Sequence, residues 1–174
     1  VIARMVVFKD KRLFKAFENK YAIWDNKYDR PWRAKNKEYW VDAHADYVRE
    51  YNIEAARHAA AFGFDEIQFD YIRFPADGPL ERCLYRYQKD EDMFKSEVLD
   101  DFLQAAKEKI PVPVSVDIYG FTAFYNFGNR IGQDIEVFAK HVDAISAMIY
   151  PSHYGYRFYM KGPREERPYR IVYD

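Results

Sequence analysis

The stretch FGFDEIQFDYIRFPADG, residues 62–78, decides how the rest of the chain is read. Its centre, residues 66–72, puts Ile67, Phe69 and Tyr71 on one parity and Glu66, Gln68 and Asp70 on the other. Side chains of a strand alternate between faces. A parallel sheet covered on both sides runs to continuous apolar strands, so the polar parity needs an explanation. Just upstream, Val48, Tyr51, Ala55, Ala59 and Phe62 recur at three- and four-residue steps, which predicts a helix over 46–62 that stops at Gly63.

Working outward, three more apolar runs read as strands: 2–8 (IARMVVF), 112–118 (VPVSVDI) and 144–150 (AISAMIY). A second helical stripe over 93–109 comprises Phe94, Val98, Phe102 and Ala106 with Leu99 and Leu103 beside it, and ends before Pro111. A shorter one over 133–141 carries Ile135, Phe138 and Ala139. Strands alternating with helices imply parallel strands joined by crossovers, in a closed barrel or an open doubly wound sheet. No strand–helix turn carries a G-x-G-x-x-G or Walker-type glycine loop, which weighs against a nucleotide-binding open sheet. A complete barrel takes about 250 residues. Four strands in 174 residues therefore predict an α/β chain forming a partial (β/α)8 TIM barrel, one domain over 1–174. The chain opens within a strand and ends without a stop signal, so the expectation is a section of a longer protein. Its outer strands would then offer sheet edges for self-association.

The 27 basic and 28 acidic residues leave a net charge of −1, giving no electrostatic reason to expect nucleic acid or an anionic membrane as partner. No apolar run reaches the roughly 18–20 residues of a membrane segment. The single cysteine, Cys83, allows no internal disulfide, and the four histidines form no H-x-x-x-H or H-x-H cluster, so neither metal nor cofactor is expected. The connection over 9–44 is too long for a plain loop. It holds Trp24, Trp32 and Trp40, and its section WDNKYDRPW (24–32) reads as a small hairpin; the high aromatic content points first to core packing, with stacking of these indoles on a sugar the lesser reading. The charged stretch 155–170 reads as a solvated, turn-like loop.

Strand parity sends Arg4, Gln68, Asp70, Ser115, Asp117, Ser146 and Tyr150 toward the barrel lumen. Asp70 and Asp117 lie near the C-terminal ends of their strands, where barrel active sites are built. Two carboxylates across a glycosidic bond supply an acid and a base or nucleophile. Neighbouring strands could hold them at either the retaining or the inverting separation, and the sequence leaves that open. The competing reading is structural: Asp70 pairs with Arg4 or Arg73 in a buried network.

Six runs carry a family resemblance: IARMVVFKD (2–10), WVDAH (40–44), residues 62–78, VPVSVDIYGF (112–121), GQDIE (132–136) and AISAMIYPSHYG (144–155). In this order they resemble a bacterial family of glycoside-hydrolase-like domains with a TIM-barrel fold. The resemblance implies that these are the third to sixth strands of eight. It also implies an acidic pair on strands four and five, matching Asp70 and Asp117, with Tyr150 and His153 in the segment after strand six. Ala147 and Ala43 stand where prolines are common in the family, away from the carboxylates. The implied activity is cleavage of glycosidic bonds in a polysaccharide or glycoconjugate. Asp70 and Asp117 would be catalytic, and Arg4, Gln68, Arg73, Tyr150, His153, Trp24, Trp32 and Trp40 would contact the carbohydrate. The alternatives are a non-catalytic carbohydrate-binding barrel, and a metal-dependent hydrolase using Asp70, Asp117 and His153.

Overall fold

The computed structural model describes residues 1–90, 92–125, 128–154 and 164–173. Its elements run β1 (Ile2–Val6), α1 (Lys11–Lys15), β2 (Trp24–Asp25), β3 (Arg30–Pro31), α2 (Asp46–Ala61), β4 (Glu66–Asp70) and β5 (Cys83–Leu84). They continue with α3 (Lys95–Lys109), β6 (Val114–Tyr119), α4 (Gly128–Ile131), α5 (Ile135–Phe138), β7 (Ala144–Met148) and α6 (Arg167–Tyr173). Strands β1, β4, β6 and β7 form one parallel sheet in that order. Strand order follows chain order, with helices in the crossovers, as in consecutive units of a barrel.

The register sets the two faces. Arg4 pairs with Gln68, Val6 with Asp70, Gln68 with Ser115, and Asp117 with Ser146. Partners across a parallel ladder project to the same side, so the polar parities of all four strands share one face. The opposite face carries Ile67, Phe69, Val116 and Ile118, all buried under the helices. There Phe102 of α3 packs against Phe69 at 5.2 Å and Phe8 at 5.4 Å between ring centroids.

Local chemistry explains the helix limits. Asp10 caps α1 by accepting from the Arg12 and Leu13 amides, and Asp134 caps α5 through the Glu136 and Val137 amides. Glu97, at the third position of α3, accepts from the Phe94 amide. Helix α2 stops at Gly63, whose φ of +97° lies in the left-handed region that glycine enters without strain.

The expected stripe of α2 needs correction. Val48 is buried as expected, but with Asn52, Ile53 and Ala56, whereas Tyr51 is 41% and Phe62 85% exposed. Asn52 can turn inward because its amide donates to the Val48 carbonyl at 2.8 Å within the same helix. In α3 the stripe holds except at its start, since Phe94 is exposed.

The long β1–α2 connection is structured. Residues 24–32 form the expected hairpin: β2 and β3 pair antiparallel, and Asp25 accepts from the Lys27 and Tyr28 amides to close the turn. β5 adds to the other side of β2, making a three-stranded sheet. Near the C-terminus, residues 155–163 of the expected loop lie outside the described residues. Residues 167–173 are helical, correcting the turn-like reading there. Among the described residues, no helix is long and apolar enough to cross a membrane.

Candidate active site

The polar sheet face converges on Arg4. Its Nη2 donates to Asp70 Oδ2 at 2.5 Å and its Nε to Asp117 Oδ2 at 3.1 Å. One guanidinium thus bridges carboxylates from two adjacent strands, while its own side chain stays 55% exposed on the open face. The fork of donors on a planar guanidinium suits this double contact. Asp70 and Asp117 are themselves buried. Burial first, and the neighbouring Asp70 charge second, push the Asp117 carboxyl above its ordinary range, with Arg4 partly offsetting both. The two carboxylates in turn raise Arg4, led by the charge of Asp70 and opposed by desolvation.

Asp70 is the last residue of β4, and the chain turns sharply after it. Tyr71 takes a left-handed φ of +53°, and its amide donates to Asp70 Oδ1 at 2.7 Å. A non-glycine residue in this region is strained, and such strain clusters at functional sites. The turn carries Tyr71 to Lys9, whose ammonium donates to the phenol oxygen at 3.1 Å and pairs with Glu38 at 2.6 Å.

Arg73 lies two residues further on, its guanidinium 4.9 Å from the Trp40 ring centroid, 5.3 Å from Tyr71 and 5.7 Å from Tyr119. Burial lowers its pKa, while nearby Tyr71 and Glu38 act against that shift. It donates to the Phe74 carbonyl, not to Asp70. The buried network around Asp70 therefore uses Arg4 and leaves Arg73 in an aromatic box.

Gln133 was not singled out by sequence, yet it ties the site together. Fully buried, its side chain accepts from the Tyr119 amide at 2.7 Å and donates to the Ile72 carbonyl at 3.1 Å. It thereby joins the segments that follow Asp70 and Asp117. Gly132, at φ +84°, turns the chain into it, and a Cβ there would meet Leu99 Cδ1 at 2.7 Å. The sequence signal of Gln133 is its place in the run GQDIE (132–136), which names no partner; those lie 14 and 61 residues away. Tyr119, on the Asp117 parity of β6, was likewise missed.

The remaining expected contacts divide. Gln68 is half-buried between Arg4 and Ser115 in register, and Ser115 donates to Glu66 on the same face. Tyr150 and His153 follow β7 at the end of the sheet where Asp70 sits; both are exposed and meet edge to face at 5.1 Å. The tryptophans correct the stacking expectation. Trp32 and Trp40 are completely buried, donating to the Pro79 carbonyl and to Glu38, so neither offers a ring face to a sugar. Trp24 is half-buried in the small sheet, bonded to Asp29 and covered by Arg86 at 4.2 Å. Among the described residues, no group of three His, Cys, Asp or Glu side chains is arranged to hold a metal ion.

Comparisons with known proteins bear on both fold and family. A hypothetical protein from Ruminiclostridium thermocellum, known as a crystal structure, is 35% identical, covering 67% of this chain and 57% of its own, with a TM-score of 0.57. An α-galactosidase from Thermus thermophilus, in complex with stachyose, covers 97% of this chain and 31% of its own at 15% identity and a TM-score of 0.53. A mutant trehalulose synthase covers 98% of this chain and 38% of its own at 12% identity and a TM-score of 0.55. This chain therefore spans between about a third and somewhat more than half of these proteins. The two more distant neighbours share the TIM-barrel fold, and the parallel sheet here is a partial barrel of that kind. No curated protein sequence matches the chain. The family match covers residues 1–174, and the chain accordingly belongs to the family described as "Putative glycosyl hydrolase domain".

Proposed function

We propose that the protein hydrolyses glycosidic bonds in a polysaccharide or glycoconjugate, with Asp70 as nucleophile or base and Asp117 as the acid. The observation that carries this reading is the Asp70–Arg4–Asp117 bridge at the C-terminal end of the sheet. Two carboxylates there are directed at one point on an open face. Burial holds the proton on Asp117 to higher pH than an ordinary carboxyl, which fits a general acid. Asp70 receives donors on both oxygens, from Arg4 and the Tyr71 amide, which fix its orientation. Adjacent strands lie about 4.8 Å apart. Side chains on such neighbours can stand at the ~5–5.5 Å of retaining or the ~6.5–9.5 Å of inverting glycosidases, so Asp70 serves as nucleophile in the first case and as base in the second.

Tyr150 and His153 stand beyond β7 as substrate contacts in this reading, with Gln68 on the cleft floor. Arg73 positions the rings of Tyr71 and Tyr119. The test uses the intact protein against a panel of aryl glycosides and oligosaccharides. Asp70→Asn is expected to lower kcat by about 10³-fold or more. Asp70→Ala supplied with azide is expected to regain turnover as a glycosyl azide. Wild-type hydrolysis by Asp70→Asn would overturn the assignment.

One observation favours a second reading: Arg4 already occupies both carboxylates, as a purely structural triad would. A non-catalytic carbohydrate-binding barrel predicts no hydrolysis of any glycan, and glycan binding that survives Asp70→Asn and Asp117→Asn.

A further inference from the structure

The β1–α2 connection and the segment around β5 enclose a cavity of about 540 Å³, apart from the carboxylate bridge. Arg30, Arg33, Lys37 and Arg82 line it against a single acid, Asp25, in a chain whose net charge is −1. Asp25 is already committed. It is buried, closes the hairpin turn through two backbone amides, and accepts from Arg82 Nη2 at 2.7 Å. Among the described residues, Arg30, Arg33 and Lys37 have no acidic partner within ion-pair distance.

Two further features separate this cavity from a merely solvated basic surface. Among the described residues, the Nε of Arg82, a cavity-lining residue, is buried without a hydrogen-bond partner, a costly state for a donor. The three guanidiniums are also held by rings. Arg30 and Arg82 lie 5.0 and 4.7 Å from the Tyr28 centroid, and Arg33 lies 4.7 Å from that of Tyr39. A guanidinium held over a ring in this way keeps N–H donors for an oxyanion. Like charges gathered in one concavity repel, and a bound anion removes that cost.

We propose that this cavity binds an acidic sugar residue of a glycan, one bearing a carboxylate, sulfate or phosphate group. The volume falls within the ~300–1,000 Å³ of small-ligand pockets and exceeds what a bare oxyanion fills. Pro31 in the lining adds an apolar contact for a sugar ring. The charged group would meet Arg30, Arg33 and the Arg82 edge, with Lys37 at the rim. The site is independent of hydrolysis at Asp70.

Calorimetric titration of the intact protein tests this with four probes: an oligogalacturonate, a sulfated oligosaccharide, a neutral cello-oligosaccharide and inorganic phosphate. The acidic oligosaccharides are expected to bind, and the tighter of the two identifies the substituent. Arg30→Glu with Arg33→Glu is expected to weaken that binding at least about tenfold, and added salt to weaken it further. Both side chains are exposed, so the double variant is expected to keep its fold; Arg30→Gln with Arg33→Gln is a milder check. Asp70→Asn should leave this affinity unchanged, so failure here is distinguishable from failure of the hydrolytic reading. Binding of the neutral oligosaccharide or of inorganic phosphate as tight as that of the acidic ones would overturn the proposal. So would no binding of any probe, or charge reversal without effect.

Discussion

The two faces of the four-stranded sheet are made by the same residues in alternation, yet they obey different physics. On the helix side, Ile67, Phe69, Val116 and Ile118 meet Phe102 and its neighbours with no charge among them. On the other side, one residue away along each strand, Arg4, Asp70, Asp117 and Ser146 form a polar surface on which even Ile2 and Val6 are exposed. The first face is where burial stabilises the domain. The second holds two carboxylates close together, which folding alone would not select. A substitution on the first face should therefore cost stability, and one on the second should cost function at little or no cost in stability.

The largest expected effect is on the helix side. Phe102 touches both Phe8 and Phe69 and is completely buried, so Phe102→Ala leaves a cavity at the centre of the sheet–helix interface. Such truncations cost about 3–5 kcal/mol. Urea unfolding should show that loss as a lowered midpoint. A loss below about 1 kcal/mol would mean that the helix layer does not hold the sheet, and the contrast between the faces would fail.

The polar face is sharpened by pH. Burial and Asp70 raise the folded-state pKa of Asp117, so the native protein keeps this proton to higher pH than the unfolded chain does. Below the unfolded value of about 3.9 both states are protonated and nothing is lost. As pH rises past it the unfolded chain ionises first, and the stability contributed by this group falls until the native carboxyl ionises too. Asp117→Asn cannot ionise. The stability of the variant relative to the wild type should therefore rise with pH from about 4 toward neutrality, by less than the Phe102→Ala loss. Denaturant midpoints for both proteins across that range measure it, and a difference that is flat or falls with pH would remove the penalty assigned to burial.

Much of this division was legible in the chain. Alternation in 66–72 and 112–118 separates Asp70 and Asp117 from Phe69 and Val116, because parity is a property of the strand itself. The bridge to Arg4 was a candidate for the same reason. What escaped was decided by contacts distant in sequence. Gln133 has no pattern of its own, only partners on other segments. Trp32 and Trp40 read as accessible aromatics because composition does not say which indole the β1–α2 connection folds over. The basic cavity escaped too, since Arg30, Arg33, Lys37 and Arg82 meet only after β5 has joined the hairpin.

The smallest expected effect tests that last kind of error. Phe62 continues the apolar spacing of α2, and by spacing alone it belongs with Val48 in the core. The helix instead buries the face of Val48, Asn52, Ile53 and Ala56, and leaves Phe62 at its C-terminal cap 85% exposed. That choice is possible because Asn52 satisfies its own amide on the Val48 carbonyl, so a polar residue enters the interface without an orphaned donor. Phe62→Ser should then change stability by no more than about 0.5 kcal/mol, the range of ordinary surface substitutions. Asn52→Ala, by contrast, removes a buried side chain. If thermal unfolding instead ranked Phe62→Ser as the more damaging, the helix would present the face its spacing predicts.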